Sequence, residues 1–516
     1  MKISTLFYIL LFSISTSAYS ASWNKNNCPN ITNSKVGINF SQPGYNASQA
    51  SFANLMKQSD GWHRPWSSQF KNIPIKQDKD GYPTSIDRDR FYVTIIHDDK
   101  WGRDTANDNK YVLSYDGEGE FNLLLQKPGS ATIVEQRPGR IVYQITGKGR
   151  TMLRLNWTNP SNHARNMSFV ALSDEATFKT QPFRKEFLST WGSLPAARFM
   201  DWLATNNSTN SRWNQRTTLS DMQQASKAGV AYEYIIKLSN LTKTNPWINI
   251  PHLATNNYVR QLATLFKNSL DPNLTVYVEY TNEAWNSIFA QTKYMAQQAA
   301  RQGINRNEYY SDRTSAIMDI WTNVYRNVPK KRYVRVMATQ FSSQGVTNRI
   351  LRRGNPSQHV DALAVGPYFG GSYGRANSVN ATLRMSPSAL AQRLLVTDLP
   401  QNMDLMRIQK NIANSYNLRL IAYEAGQHLV GVRGPQVNNQ KLTNLLVATN
   451  RHPKMKDIYF QYLKNWNAVS NDLIVLFSSV KRPGKYGSWG LLENGSQTIQ
   501  QSPKASGVTK YMCGGV

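Results

Sequence analysis

The chain has 516 residues, with 60 Lys and Arg against 32 Asp and Glu, 40% hydrophobic residues and 11% aromatic residues. This hydrophobic content is enough to build a packed core, so the composition excludes disordered and fibrous classes of protein. The length predicts two or three domains, or one large barrel with an accessory unit.

The N-terminus has the pattern of an export signal. Met1-Lys2 precedes an apolar run over 6–14 and a small-residue stretch over 17–21, which predicts a signal peptide over residues 1–20 and a secreted or periplasmic protein. Neither this run nor any later one reaches the roughly 20 apolar residues that a membrane span needs, so we predict no transmembrane segment. Export also argues against nucleic acid as a partner, despite the positive charge.

The two cysteines, Cys28 and Cys513, lie near opposite ends of the chain. In an oxidising compartment they can form a disulfide, and the other interpretation is two free thiols. We favour the disulfide because exposed free thiols are disfavoured outside the cell. Neither cysteine has neighbours that suggest catalysis, and we expect no metal and no cofactor.

The positive charge lies mainly in the C-terminal part. Residues 183–516 contain 39 Lys and Arg against 17 Asp and Glu, a net charge of +22, whereas residues 21–182 have a net charge of +5. Such a surface attracts an anionic polymer or a lipopolysaccharide surface. An equally acceptable interpretation is a solvated basic surface with no dedicated partner. No sequence feature fixes the oligomeric state, and we favour a monomer.

Between about residues 66 and 182 the sequence is rich in short strands. Six β-branched and aromatic runs, separated by glycine-rich turns, lie over 91–97, 111–115, 121–125, 140–146, 151–157 and 167–172. Short strands at this spacing predict an accessory β-sandwich domain over 66–182.

After Pro182 helices and strands alternate. Predicted helices lie over 185–192, 219–228, 256–269, 287–302, 308–327, 388–414 and 457–468, and predicted strands over 196–202, 246–252, 275–280, 333–341, 360–368, 419–425 and 472–479. Near-continuous apolar strands between helices predict a parallel sheet. Seven strands, with 36–40 as a possible eighth, indicate a (β/α)8 TIM barrel of the α/β class over 183–516.

The N-terminal segment 21–65 leaves two arrangements open. If residues 36–40 form the first barrel strand, the β-rich segment is an insertion between barrel strands one and two. If they do not, the β-rich segment is an N-terminal module and the first strand lies nearer Phe183.

Candidate catalytic groups lie at the carboxyl ends of the predicted strands, because the loops there meet over one mouth of the barrel. Glu283 follows the strand 275–280, and Glu424 lies near the end of the strand 419–425. Ionised groups are costly to bury unless they are paired or used. Two carboxyl groups at one barrel mouth have the chemistry for glycoside hydrolysis, in which one protonates the leaving oxygen and the other attacks the anomeric carbon.

The segments that carry these residues resemble a known family group. VYVEYTNEAWN, which contains Asn282 and Glu283, and LIAYEAGQH, which contains Glu424, are similar to the acid/base and nucleophile strands of clan A retaining glycoside hydrolases. The stretch from RFMDWLATNNST through NPWINIPHLATNNYVRQ also resembles secreted bacterial proteins labelled cellulose-binding. The likeness covers most of residues 183–495.

The resemblance implies roles for individual residues: Glu283 as general acid/base, Glu424 as nucleophile, Asn282 as the partner of the sugar 2-hydroxyl, Arg198 and Tyr368 as supports of the nucleophile, His252 in the mouth of the barrel, and Trp489 as the platform beneath the sugar. We expect a raised pKa to keep Glu283 protonated while Arg198 keeps Glu424 ionised. Trp247 and Trp285 are interpreted as packing residues.

The chain departs from the clan pattern in two places. Gly366 stands where many members have a histidine, and Phe477-Ser478 stands where their platform tryptophan ends the eighth strand. Two functions therefore remain open. One is a retaining hydrolase of β-linked polysaccharide, with anionic polymers included because of the basic charge, and the other is a non-catalytic polysaccharide-binding or surface-attachment protein on a glycosidase-like barrel.

Overall fold

The structure is a computed structural model that describes Trp23, Cys28, residues 31–98 and residues 109–514. The predicted signal peptide over 1–20 lies outside these residues. Among the described helices, none has both the length and the apolar character that are required to cross a membrane.

Eight parallel strands close into a barrel. They are β1 (Val36–Asn39), β9 (Ala196–Arg198), β10 (Asn245–Ile250), β11 (Val276–Tyr280), β12 (Tyr333–Ala338), β13 (Ala362–Val365), β14 (Arg419–Ala425) and β15 (Ile474–Phe477). Each strand pairs with the next in this order, and β1 closes the barrel by pairing with both β15 and β9. The predicted (β/α)8 barrel is confirmed.

Strand β1 decides between the two arrangements that the sequence left open. Because β1 lies in the barrel, the barrel begins before residue 183, and the predicted limit of 183–516 is wrong for this one strand. The β-rich segment therefore lies in the chain between the first and second barrel strands.

The inserted segment contains two antiparallel sheets. The three-stranded sheet has the order β2-β7-β4 and the four-stranded sheet the order β5-β6-β3-β8. Their strands are β2 (Tyr92–His97), β3 (Lys110–Asp116), β4 (Gly119–Leu125), β5 (Ser130–Arg137), β6 (Arg140–Thr146), β7 (Thr151–Thr158) and β8 (Arg165–Ala171). Side chains of both sheets, such as Leu153 and Phe169, belong to one buried apolar cluster.

Helices cover the outer face of the barrel. They are α1 (Lys185–Trp191), α2 (Tyr232–Thr242), α3 (Asn256–Ser269), α4 (Ala290–Arg301), α5 (Arg306–Val324), α6 (Gln344–Leu351), α7 (Val379–Thr382), α8 (Pro387–Arg393), α9 (Leu399–Ser415), α10 (Gln440–Arg451), α11 (Met455–Val469) and α12 (Pro503–Cys513). A large apolar cluster lies between these helices and the strands, and a second one fills the barrel interior.

Several local predictions differ from the structure. Helices α2, α6, α7, α10 and α12 were not predicted. The segment 219–228 is not helical, because local side-chain bonds compete with helix formation: Thr218 bonds Asp221 through both its amide and its hydroxyl, and Gln224 donates to the carbonyl of Thr218. Strand β5 was not predicted, since almost all of its side chains are exposed and it lacks the alternation of buried and exposed residues on which the prediction relies.

The two ends of the described chain are joined. Cys28 and Cys513 form a disulfide with an S–S distance of 2.07 Å, which confirms the predicted pairing. Trp23 adds a second connection, because its indole nitrogen donates to the hydroxyl of Thr509 at 2.6 Å. Helix α12, the last helix, is therefore tied to the N-terminal segment at two points.

Candidate functional site

Arg198 lies at the centre of the candidate site, where strand β9 ends, and is completely buried. Its guanidinium donates to both carboxylate oxygens of Glu279, at 3.0 and 3.1 Å, and to Glu424 Oε1 at 2.8 Å. It also donates to the side-chain oxygens of Asn39 at 3.1 Å and Asn282 at 2.8 Å. One buried cation therefore holds together groups from the ends of β1, β11 and β14. This is possible because the carboxyl ends of parallel barrel strands meet at one mouth.

Glu424 receives a second hydrogen bond from the neighbouring strand. The hydroxyl of Tyr368, which follows β13, donates to Glu424 Oε2 at 3.0 Å. Burial raises the pKa of Tyr368 well above its ordinary value, so this hydroxyl remains a donor at physiological pH. The carboxylate of Glu424 is thus oriented by one charged donor and one neutral donor.

An irregularity in β14 explains how consecutive residues reach the site. The register against β15 shifts between Ala422 and Ala425, so that one extra residue is inserted in β14. Tyr423 consequently packs in the barrel interior while Glu424 contacts Arg198. A regular strand would have directed one of these two side chains outward.

Glu283 lies near the start of the loop that follows β11. Its backbone has a φ of 40°, a left-handed conformation that is uncommon for residues other than glycine. Such a conformation costs free energy and is often found at functional sites. The side-chain amide of Asn286 donates to Glu283 Oε2 at 2.8 Å, and the backbone amide of Asn286 donates to the backbone carbonyl of Glu283 at 2.9 Å. This turn holds the carboxyl group at the barrel mouth.

Burial raises the pKa of both glutamates. For Glu283, the side chain of Asn286, the charge of Arg198 and the hydroxyl of Tyr423 oppose the increase. For Glu424, burial raises the pKa to about 8 although Arg198 opposes it, and the charge of Glu283 adds to the increase. Arg198 therefore opposes the effect of burial on the pKa of Glu424 but does not cancel it.

The charge of Glu283 contributes to the raised pKa of Glu424, so the two carboxyl groups are electrostatically coupled. The charged donor Arg198 bonds Glu424 directly, whereas the closest donor to Glu283 is the neutral amide of Asn286. Ionisation is therefore more favourable on Glu424 than on Glu283 when one proton is present.

A cavity of about 620 Å³ opens at Glu283, and Tyr368, which donates to Glu424, also lines it. Its lining includes Glu283, Trp285, Tyr368, Tyr423 and His428. The volume lies in the range of pockets that hold a small organic ligand or a few sugar units. Trp285, which we interpreted as a packing residue, lines this cavity, whereas Trp247 is fully buried and donates its indole nitrogen to Glu279 at 2.9 Å.

Trp489 returns to the barrel mouth although it follows β15 by many residues. Its carbonyl accepts from the amide of Ser478 at 3.0 Å, and its ring lies 5.7 Å from that of Tyr368 and 5.2 Å from that of His428. The loop after β15 thus places an aromatic ring beside Tyr368 and His428 at the barrel mouth.

Asn282 belongs to the Arg198 network. Its oxygen accepts from Arg198, and its nitrogen donates to Asn206 Oδ1 at 3.1 Å. Gln291 bonds the same Asn206 oxygen at 2.7 Å and the Asn282 carbonyl at 2.9 Å. The orientation of the Asn282 amide is therefore fixed from both sides.

His252 is not brought to the cavity. It is buried against the ring of Tyr294, at a centroid distance of 5.4 Å, and burial lowers its pKa to about 4. Its carbonyl accepts from the hydroxyl of Tyr280 at 3.0 Å. A histidine with this pKa is neutral at physiological pH and carries no charge into the site.

Sequence reasoning missed two important residues of the site. Glu279 is completely buried within β11, and an ionisable residue inside the apolar run VYVEY is a signal that could have identified it. Tyr423 gave no such signal, because a tyrosine in an apolar strand is ordinary and its position depends on the irregularity in β14.

No family model and no curated protein matches the chain. Among solved structures, a 4-O-alpha-L-rhamnosyl-beta-D-glucuronidase from Fusarium oxysporum 12S is similar, with 12% identity, a TM-score of 0.37 and coverage of 62% of each chain. The chain thus spans less than two thirds of that protein.

Two further solved structures show similarity of the same extent. Xylanase 10B from Thermotoga maritima has 9% identity and a TM-score of 0.30 over 62% of this chain and 86% of that one. An endo-1,4-beta-D-mannanase from Thermotoga petrophila RKU-1 has 9% identity and a TM-score of 0.31 over 62% of this chain and 91% of that one. The assignment of the barrel rests on the strand order and not on these similarities.

Proposed function

We propose that the protein is an exported glycoside hydrolase that cleaves β-linked polysaccharide or oligosaccharide with retention of configuration. The observation that carries the proposal is that Glu283 lines an open cavity together with Tyr368, whose hydroxyl donates to Glu424, and that the pKa of both carboxyl groups is raised. Perturbed carboxyl groups in a cleft are typical of acid/base sites.

The contacts of the two glutamates indicate which catalytic role each one has. Glu424, which is bonded by Arg198 and Tyr368, attacks the anomeric carbon, and Glu283 donates its proton to the leaving oxygen. Water then hydrolyses the glycosyl-enzyme bond while Glu283, now ionised, accepts the proton from that water. Once Glu424 is esterified and uncharged, the charge of Arg198 is balanced by Glu279 alone.

The supporting residues have more limited roles in this scheme. Asn282 reaches the sugar 2-hydroxyl with the amide hydrogen that Asn206 does not use, and Trp489 provides the aromatic surface beneath the sugar. We propose no role for His252 in proton transfer. The two antiparallel sheets form an accessory β-sandwich domain in this scheme, with boundaries near residues 66 and 182.

Export is part of the proposal. A disulfide between Cys28 and Cys513 is compatible with an oxidising compartment. The test is sequencing of the N-terminus of the protein recovered from the periplasm or medium, for which we expect a mature chain that begins at Ala21. Recovery of the intact Met1 chain inside the cell would contradict export.

The function is tested by incubating the protein with a panel of neutral and anionic β-linked polysaccharides. We expect hydrolysis of at least one, and proton NMR of the first product should show the β-anomer before mutarotation. Retention also predicts a separation of about 5 to 5.5 Å between the two carboxyl groups. An α-anomer as first product would contradict retention, and binding without hydrolysis on every substrate would favour the attachment function.

A further inference from the structure

The loops that follow β13 and β14 pack against each other through their backbones. The amide of Phe369 donates to the carbonyl of Gly426 at 3.0 Å, and the amide of His428 donates to the carbonyl of Phe369 at 2.7 Å. These bonds continue the pairing of the two strands beyond the barrel. The two loops therefore form one rigid wall of the cavity that contains Glu283.

This wall brings two arginines to neighbouring positions. The amide of Val432 donates to the carbonyl of Gly374 at 2.8 Å, and Arg375 and Arg433 are the next residues of the two loops. The approach needs a glycine, because a Cβ at 374 would lie 1.7 Å from the carbonyl oxygen of Val430. The positive side chains of Arg375 and Arg433 are thus attached to neighbouring backbone positions.

Both arginines line the cavity and are exposed to solvent. Within the described residues, neither guanidinium has a carboxylate partner at ion-pair distance. Asp398, the other acidic group of this lining besides Glu283, accepts from the hydroxyl of Tyr373. Like charges at neighbouring positions repel each other, so this wall is electrostatically suited to an anion.

The backbone of Arg433 provides an independent indication. Its φ of 62° and ψ of 157° lie in a region that glycine almost alone occupies. A glycine at this position would avoid the strain, and the next residue, Gly434, is one. Strain of this kind at a cavity wall is typical of residues that are retained for a function.

A buried acceptor faces the same cavity. Asn402 is 5% exposed and lines the cavity. Its nitrogen donates to the carbonyls of Pro367 and Tyr368, but its Oδ1 has no hydrogen-bond partner among the described residues. A sugar hydroxyl can satisfy this oxygen, which is otherwise costly to bury.

We propose that this wall binds an acidic sugar unit, with Arg375 and Arg433 holding its carboxylate or sulfate group and Asn402 accepting from one of its hydroxyls. Guanidinium groups suit this role because they bind planar oxyanions with two parallel hydrogen bonds. The inference rests on the proposed function, since it assigns the substrate class of the same cleft. The substrate is then an anionic β-linked glycan.

The test compares acidic oligosaccharides with uncharged counterparts of the same linkage. The probes are β-1,4-linked oligomers of glucuronate, β-1,4-linked oligomers of mannuronate, their carboxyl-reduced forms, and 6-O-sulfated cello-oligosaccharides. Binding is measured by calorimetry with the Glu424→Gln full-length chain, so that turnover does not interfere. We expect at least one acidic probe to bind at least about tenfold more tightly than its uncharged counterpart.

The arginines are tested in the same background. Replacing Arg375 and Arg433 together by alanine should remove this preference, while the matched exposed arginine Arg349, on α6 and outside the cavity, should tolerate alanine without effect. Preference for uronates identifies a carboxylate ligand, and preference for the sulfated probe identifies a sulfate ester. If no acidic probe binds more tightly than its counterpart, or if the double variant keeps the preference, the inference is overturned.

Two single variants separate binding from folding. Arg433→Gly should relieve the backbone strain, so that the melting temperature stays equal or rises while the acidic preference falls. Arg433→Lys should retain part of the preference because it keeps the charge. A loss of melting temperature in Arg433→Gly with unchanged preference would show that the residue is only structural.

Failure of this binding inference can also be distinguished from failure of the proposed hydrolase function. If the acidic preference depends on the two arginines but the wild-type chain hydrolyses nothing, the binding inference stands and the proposed function fails. If the wild-type chain hydrolyses neutral glycans and acidic ones equally, and the double variant does the same, the proposed function stands and this inference fails.

Discussion

Tyr423 occupies the space in front of Gly366. A Cβ added at Gly366 would lie 2.8 Å from the hydroxyl oxygen of Tyr423 and 3.0 Å from the ring carbon that carries it. The absence of a side chain at Gly366 therefore has a physical cause, because the tyrosine that precedes Glu424 fills the volume that a side chain would need.

Replacing Gly366 by alanine should therefore destabilise the protein by about 1 to 3 kcal/mol, since the buried ring of Tyr423 has little room to move. In the Tyr423→Phe background the cost should be smaller, because the nearest atom is removed. Urea unfolding of the two single variants and the double variant gives the coupling energy. Equal costs of Gly366→Ala in both backgrounds would contradict this packing relationship.

The two glutamates should respond differently to truncation. Glu424→Ala should abolish hydrolysis and leave binding of the oligosaccharide largely intact, because the aromatic groups of the cavity remain. Glu283→Ala should retain more activity on aryl glycosides with good leaving groups than on natural glycosides, since such leaving groups need little protonation. Activity that survives both substitutions would show that the site lies elsewhere.

The acid limb of the pH profile of kcat/KM should be displaced toward higher pH. Hydrolysis requires an ionised Glu424 and a protonated Glu283, so activity is lost on the acid side as Glu424 gains its proton and on the alkaline side as Glu283 loses its own. We expect the midpoint of the acid limb of kcat/KM to lie between 4.5, the ordinary value for glutamate, and about 8. His252→Gln should not move this limb, because burial lowers the pKa of His252 to about 4. An acid limb below 4.5 would contradict the argument.

Arg198 should be essential for stability as well as activity. Arg198→Met leaves Glu279 and Glu424 buried without their cation, and removal of one member of a buried ionic cluster costs about 3 to 5 kcal/mol. The cost should be greater at pH 8 than at pH 5.5, since without Arg198 the ionised carboxylates are disfavoured and acid neutralises them. Unfolding in urea at both pH values measures this.

A matched double variant controls for the loss of packing at Arg198. Arg198→Met combined with Glu279→Gln should be less destabilised than the sum of the single variants, because one of the two orphaned charges is gone. If the double variant is as unstable as the sum, the loss of packing around the side chain explains the effect and the charge argument is wrong.

Much of this architecture could be predicted from the chain itself. The barrel strands are short apolar runs between helical segments, and the carboxyl ends of parallel strands meet at one mouth, so Glu283 and Glu424 could be assigned to that mouth without coordinates. The disulfide followed from the number of cysteines and the expected compartment. In each case local pattern or simple counting carries the information.

Other features depended on contacts between residues that are distant in the chain. Val36–Asn39 became a barrel strand only by pairing with both β15 and β9. The raised pKa of Glu424 follows from burial and from the charges of Glu283 and Asp201. Neither relationship has a signature within a single stretch of sequence.

The same is true of the residues that shape the cavity. Trp489 reaches the barrel mouth because its loop folds back to Ser478, and Arg375 becomes a neighbour of Arg433 because their loops are bonded through their backbones. Periodicity and composition report how a segment buries its own side chains, whereas these positions depend on how separate segments pack and pair. Only the tertiary structure therefore decides which charges and rings meet at the site.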